Sequence, residues 1–161
     1  MKKLLLPLVL IAMMGLVSCN SKADVVKASS LAFDKTEITL DGSGEAEITI
    51  TIHIDGEKFS GTTDDLTKKG YIIFGWESDV SWKEFWNEKD SAYQIWALSN
   101  ENANDLVIGG ESVNDKAFSK NLTIHLYKIP TGMDPSGDDI ILVPEWTSVA
   151  SLTLKVNVPA M

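Results

Sequence analysis

The chain has 161 residues, a formal net charge of -9, a single cysteine, and 14 basic side chains that are all lysine. An acidic surface repels phosphates and the missing guanidinium removes the bidentate grip on them, which excludes nucleic acid as a partner. With one cysteine there is no internal disulfide, so stability must come from an apolar core, and a chain of this length is long enough to bury one.

Lys2 and Lys3 precede an uncharged apolar stretch, Leu4 to Val17, then the small Ser18 and Cys19. This is the positive start, apolar centre and small-residue cleavage point of an export signal. The apolar stretch falls short of the roughly 20 residues that span a bilayer. Leu16-Val17-Ser18-Cys19 resembles the lipobox of bacterial lipoproteins. The resemblance implies cleavage before Cys19, lipidation of that residue on its thiol and its new amino terminus, and residence in the bacterial cell envelope with the membrane as partner. Several acyl chains meet the requirement for more than one anchoring signal. Asn20 is not the aspartate that retains some lipoproteins at the inner membrane, so an outer-membrane address is expected. Loss of Lys2 and Lys3 takes the charge from -9 to -11. Residues 1–18 are thus read as signal peptide, 19–30 as the lipidated cysteine and a flexible tether, and 31–158 as one domain. Asn20 to Ser30 is small and polar, with a coil reach on the order of 20 Å.

In the domain, Leu31 to Leu40 reads as a strand that turns at Asp41-Gly42-Ser43-Gly44, where both glycines supply positive φ. Glu45 to Ile54 alternates strictly, with Ala46, Ile48, Ile50, Ile52 and Ile54 on one face and Glu47, Thr49, Thr51 and His53 on the other. Gly70 to Trp76 is a central strand with Ile72, Phe74 and Trp76 on one face. Ser81 and Glu84 form a capping box, with Val80 stapled on Phe85, and open a helix from Trp82 to about Lys89. Its Trp82, Phe85 and Trp86 share one face, expected to turn inward. Ala92 to Leu98 and Asp105 to Ile108 return to strand. Asn121 to Ile129 places Leu122, Ile124 and Leu126 inward and Thr123, His125 and Tyr127 outward. Pro130 to Asp139 is a turn-rich loop, Ile140 to Val143 a strand ended by Pro144, and Ser148 to Val158 a last strand with Ala150, Leu152, Leu154, Val156 and Val158 inward.

LAFDKTEITLDGSGEAEITITI is similar to the opening strands of bacterial immunoglobulin-like domains, and ASLTLKVNV to their closing strand. The expected fold class is mainly β: an antiparallel immunoglobulin-like β-sandwich with a short helical insertion. The resemblance implies no catalytic residues, so function would lie in loops and faces.

Candidate sites are few. In the strand order that the immunoglobulin-like resemblance implies, His53 and His125 project outward from opposite sheets, too far apart to share a metal. Asp134, Asp138 and Asp139, with Ser136, crowd one loop as hard-cation ligands do, but turn chemistry explains the same residues and the spacing is not that of an EF-hand. Glu145 with Asp138 or Asp139 is the carboxylate pair a glycosidase would need, and no nucleophile motif is present. The tryptophans Trp76, Trp82, Trp86, Trp96 and Trp146, with Tyr93, either fill a core or form a platform. Trp82, Trp86 and Trp96 are the ligand-binding candidates, with the loops Lys89 to Asn104 and Pro130 to Asp139 as further contact surface. The expected function is a non-catalytic, lipid-anchored binding or interaction module with a protein or glycan partner and no cofactor. The alternatives are a carbohydrate-binding or glycan-processing accessory lipoprotein and a structural envelope subunit.

Overall fold

The computed structural model describes residues 28–160, so the expected signal peptide, Cys19 and most of the tether lie outside the described residues. The fold is mainly β. A three-stranded sheet holds β1 (Ser30–Ala32), β4 (Thr51–Ile54) and β5 (Glu57–Phe59), in the order β1-β4-β5. A seven-stranded sheet holds β2 (Glu37–Thr39), β3 (Glu45–Thr49), β6 (Tyr71–Ser78), β7 (Tyr93–Ser99), β8 (Asp105–Ser112), β9 (Phe118–Lys128) and β10 (Thr147–Val158). Its order, β2-β10-β9-β6-β7-β8-β3, ends on two strands that follow one another in the chain, so this sheet is nearly closed on itself.

The alternating segment Glu45 to Ile54 serves both sheets. Ile48, Ile50 and Ile52 are all buried, as their spacing requires, yet the strand leaves β8 for β1 at Ile50. There the Ile50 N–H donates to the Asn104 carbonyl (2.8 Å), and the buried Asn104 Nδ2 donates to the carbonyls of Ile50 (3.1 Å) and Phe59 (3.4 Å). One side-chain amide therefore replaces the ladder bonds that a strand loses as it changes sheets.

The single strand expected over Leu31 to Leu40 is instead two. β1 pairs with β4, and β2 runs parallel to β10. The apolar residues explain the break. Leu31 and Phe33 are odd-numbered, Ile38 and Leu40 even-numbered, and one continuous strand cannot bury both sets. At the turn, positive φ falls on Gly44 (+80°) and not on Gly42. Asp41 organises the rest, accepting from the Ser43 N–H at 2.7 Å.

β8 continues past Ile108 through Gly109 and Gly110 because each glycine accommodates a neighbour. A Cβ on Gly110 would come within 2.8 Å of Val158 inside the sheet. On Gly109 it would meet the Trp96 indole at 2.2 Å on the outside. β9 and β10 bury Leu122, Ile124, Leu126, Leu154, Val156 and Val158, as the alternation demands.

Two helices appear. α1 (Thr63–Lys68), outside the expected elements, carries its own capping box of Thr62 and Asp65. α2 (Trp82–Trp86) has the expected Ser81/Glu84 capping box but stops after little more than one turn, where Glu88 takes φ +64°. The strand expected at Ile140 to Val143 is a 3-10 helix, Asp138–Glu145. Its apolar residues pack on the outer face of the large sheet, Val143 fully buried with Trp146 against Phe74 and Tyr127. The protein thus has one core between its sheets and a second on the outside of the large sheet.

Candidate functional site

The second core is built by register. Strand pairing sets Phe74 opposite His125 on one side and Leu98 on the other, then Trp76 opposite Trp96, and Trp96 opposite Gly109. These side chains share the outer face of the large sheet. The capping box of α2 starts that helix over the same face, so Trp82 meets Phe74 edge-on at 5.1 Å and Trp76 at 4.9 Å, while Phe85 lies 4.8 Å from Trp76. Edge-to-face contacts at these separations are favourable for aromatic quadrupoles. The 3-10 helix forms the opposite wall. Between the walls lies a cleft of about 230 Å³, lined by Phe74, Trp76, Glu77, Trp82, Thr123, His125, Tyr127 and Pro144.

Trp86 corrects an expectation. It sits 5.7 Å from Trp82 but is 48% exposed, so α2 turns Trp82 and Phe85 toward the sheet and leaves Trp86 at the rim. A one-turn helix is too short to keep all three of its aromatics over the sheet. Trp96 is half-buried, lying flat on Gly109, and Trp146 is buried in the far wall. Tyr93 stands apart. It packs on Phe118 at 5.3 Å, with the Lys120 Nζ 4.7 Å from its ring centroid.

His125 is more than a surface histidine. Its ring is partly buried 5.1 Å from Tyr127, and Nδ1 shares a 2.8 Å hydrogen bond with the Ser148 hydroxyl. Burial pushes its pKa below the usual imidazole value, which favours the neutral ring. His53 lies on β4 in the other sheet, 3.4 Å from the Ser30 hydroxyl, so the two imidazoles do not meet. The indole N–H groups of Trp76, Trp82 and Trp146 are buried with no acceptor among the described residues. An unmet donor costs about 1–3 kcal/mol, and two of these indoles, Trp76 and Trp82, stand in the walls of the cleft.

The loop carboxylates are otherwise engaged. Asp134 accepts from the Ser136 N–H (2.9 Å) and hydroxyl (2.7 Å), bonds that hold its pKa below the usual carboxylate range. The Asp139 carboxylate accepts from the Asp134 N–H (2.9 Å), and Asp138 opens the 3-10 helix. Among the described residues no three carboxylate, imidazole or thiol groups converge as metal ligands. Glu145 closes the helix that Asp138 and Asp139 begin. At about 2 Å rise per residue their backbones stand roughly 12–14 Å apart.

Sequence reasoning placed Trp82, Phe85 and Trp86 on one helix face and named Trp82, Trp86 and Trp96 as candidates, but did not bring Thr123, His125, Tyr127 and Pro144 to them. The available signal was β9, whose outward positions carry an imidazole and a phenol where β10 carries Ser151, Thr153 and Lys155. Comparison of the chain with protein families, with curated proteins and with solved structures finds no match.

Proposed function

We propose that the protein is a non-catalytic binding module, lipid-anchored through Cys19 in the bacterial cell envelope at the outer membrane, and that its outer aromatic cleft holds a sugar ring. The observation that carries this reading is the aromatic cleft itself, with Trp82 in its wall and the exposed Trp86 packed 5.7 Å from Trp82. A pyranose offers a flat face of C–H groups for an indole and a rim of hydroxyl oxygens for donors. Trp86 and Trp82 supply the stacking surface. His125, whose Nδ1 is held by the Ser148 hydroxyl, offers Nε2 as a polar contact in the cleft wall. Binding without hydrolysis is supported by the carboxylate count, since Glu77 alone lines the cleft and hydrolysis takes two.

An immunoglobulin-like ancestry is part of this proposal. It is supported by β9, β10 and β6 sharing one sheet and β1 and β4 the other, as the F, G, C and A, B strands do in that fold. The continuous seven-stranded sheet is the departure from it.

Tryptophan fluorescence titrated with a panel of soluble envelope and host oligosaccharides tests the site. At least one should give a saturable change that Trp86→Ala weakens tenfold or more in a folded protein. Flat titrations across the panel, or unchanged affinity in Trp86→Ala, would refute the sugar site. Cys19→Ala should abolish lipid labelling and processing, and a mature, membrane-bound product from that variant would refute the anchor.

A further inference from the structure

We infer that the seam between β2 and β3 is a second binding site, which accepts one extended strand of a partner protein with alternating apolar and basic side chains.

β2 and β3 are consecutive, antiparallel and joined by a tight turn, the arrangement that normally zips into a hairpin. Only the first rung forms, the Asp41 N–H donating to the Glu45 carbonyl at 2.9 Å. Beyond it β2 is held by β10 and β3 by β8, and the two strands part.

The bonding pattern shows what faces the opening. At the ends of the β3–β8 ladder, the Gly110 N–H donates to the Gly44 carbonyl and the Ile50 N–H to the Asn104 carbonyl. Alternation then assigns the even-numbered residues of β3 to β8 and turns the backbone N–H and C=O of Glu47 and Thr49 toward the seam. On β2, the Lys155 N–H donates to the Thr36 carbonyl and the Leu40 N–H to the Asn157 carbonyl. That leaves the backbone groups of Glu37 and Thr39 facing the seam from the other side. Among the described residues, two unpaired edges thus confront each other across one gap.

A hollow of about 870 Å³ lies in the gap and runs along β3 from Ala46 to Thr49 and on to Thr51, with Glu37, Ile38 and Thr39 on its other side. Its inner wall is apolar, formed by Phe33, Ile38, Ala46 and Ile48. Its outer rim is acidic. Glu37 is paired with Lys155 at 2.9 Å, whereas Glu47 and Asp34 make no ion pair among the described residues, and Lys35 is the only cation in the lining. An inserted strand would bond to both edges, bury alternate side chains against Ile38 and Ile48, and present the others to Glu47 and Asp34. Charge makes those others lysine or arginine. It also argues against a second copy inserting its own β2 or β3 edge, which carry Glu37, Glu45 and Glu47 and would repel this rim.

The test uses the detergent-solubilised mature protein and a fluorescein-labelled nine-residue peptide of alternating valine and lysine. The expected result is saturable one-to-one binding, with hydrogen exchange at the Thr39, Glu47 and Thr49 amides rapid in the free protein and slowed at least tenfold by peptide. Glu47→Pro removes a seam-facing donor and leaves the β8 ladder intact, so it should fold and weaken binding at least tenfold. Thr39→Pro should do the same from the opposite edge, and serves if the first variant does not fold. Trp86→Ala should leave peptide binding unchanged, which separates this site from the aromatic cleft. The inference is overturned if a shuffled peptide of the same composition binds equally, if both proline variants bind like the parent, or if the seam amides are already protected in the free protein. It is equally overturned if those amides become protected by dimerisation without peptide.

Discussion

Gly109→Ala is the sharpest probe of the outer face, because a single methyl is pitted against one named ring. The added Cβ would stand 2.2 Å from Cζ2, 2.3 Å from Cε2 and 2.7 Å from Nε1 of Trp96. An indole has no flexible end to swing away, so it must lift from the sheet as a unit. Lifting exposes roughly 100 Å² of ring, about 2.5 kcal/mol at ~25 cal/mol per Å², which agrees with the 1–3 kcal/mol typical of an overfilled site. In a Trp96→Ala background the obstruction is gone. Gly109 does not occupy the left-handed region, so the methyl should then stabilise by about 0.4–1 kcal/mol through the unfolded chain. The coupling between the two positions is therefore roughly 3 kcal/mol. Urea unfolding of the parent, the two single variants and the double variant measures it. Additivity within about 0.5 kcal/mol would refute the contact. Gly110→Ala provides the control, since its obstruction comes from Val158 and Leu40 and Trp96→Ala should not relieve it.

Three further outcomes follow from features already described. Ile50→Asp buries an unpaired charge at a side chain only 2% exposed and should cost more than 3 kcal/mol, or prevent folding, whereas Thr51→Asp on the opposite face should be mild in urea unfolding. Trp82→Ala should cost about 3 kcal/mol by emptying the middle of the aromatic contacts, and Trp86→Ala at most about 2, because half of that ring is already in water. Glu84, bonded to Lys89 and to the Ser81 N–H and hydroxyl, has its pKa lowered from 4.5 to about 2. The contribution of its charge is complete above pH 4.5 and is lost as pH falls toward 2, so the urea midpoints of the parent and Glu84→Gln should differ at neutral pH and converge over that interval.

What could be read from the sequence was whatever depends on near neighbours. Strict alternation assigned the faces of β3, β4, β9 and β10, and the Ser81/Glu84 spacing located the start of α2. The division of Leu31 to Leu40 was legible in principle, as the apolar residues change parity between Phe33 and Ile38. So were the Asp55-Gly56 hairpin, with φ of 50° and 78°, and the Thr62/Asp65 cap. The 3-10 helix was not legible, because Ile-Ile-Leu-Val suits a buried strand equally well and only the uncovered Phe74 and Tyr127 decide between them. Gly109-Gly110 resembled a strand end for a similar reason. Its meaning depends on Trp96 and Val158, which register brings there from elsewhere in the chain. The aromatic cleft inherits the same limit, since His125 and Thr123 join it only through the pairing of β9 with β6.

Asn104 has a consequence for how the molecule comes apart. Domains often open in subglobal units, each sheet or motif exchanging its amides at its own free energy. Here the strand is shared, and the same residue that ends its pairing with β8 also clamps Ile50 and Phe59 in the small sheet. Drawing Phe59 or the Ile50 junction away from the large sheet breaks the Asn104 bonds, so opening at this corner is felt in both sheets. Asp at this position would set a carboxylate against two carbonyls and turn the clamp into a repulsion at the corner where the two sheets meet.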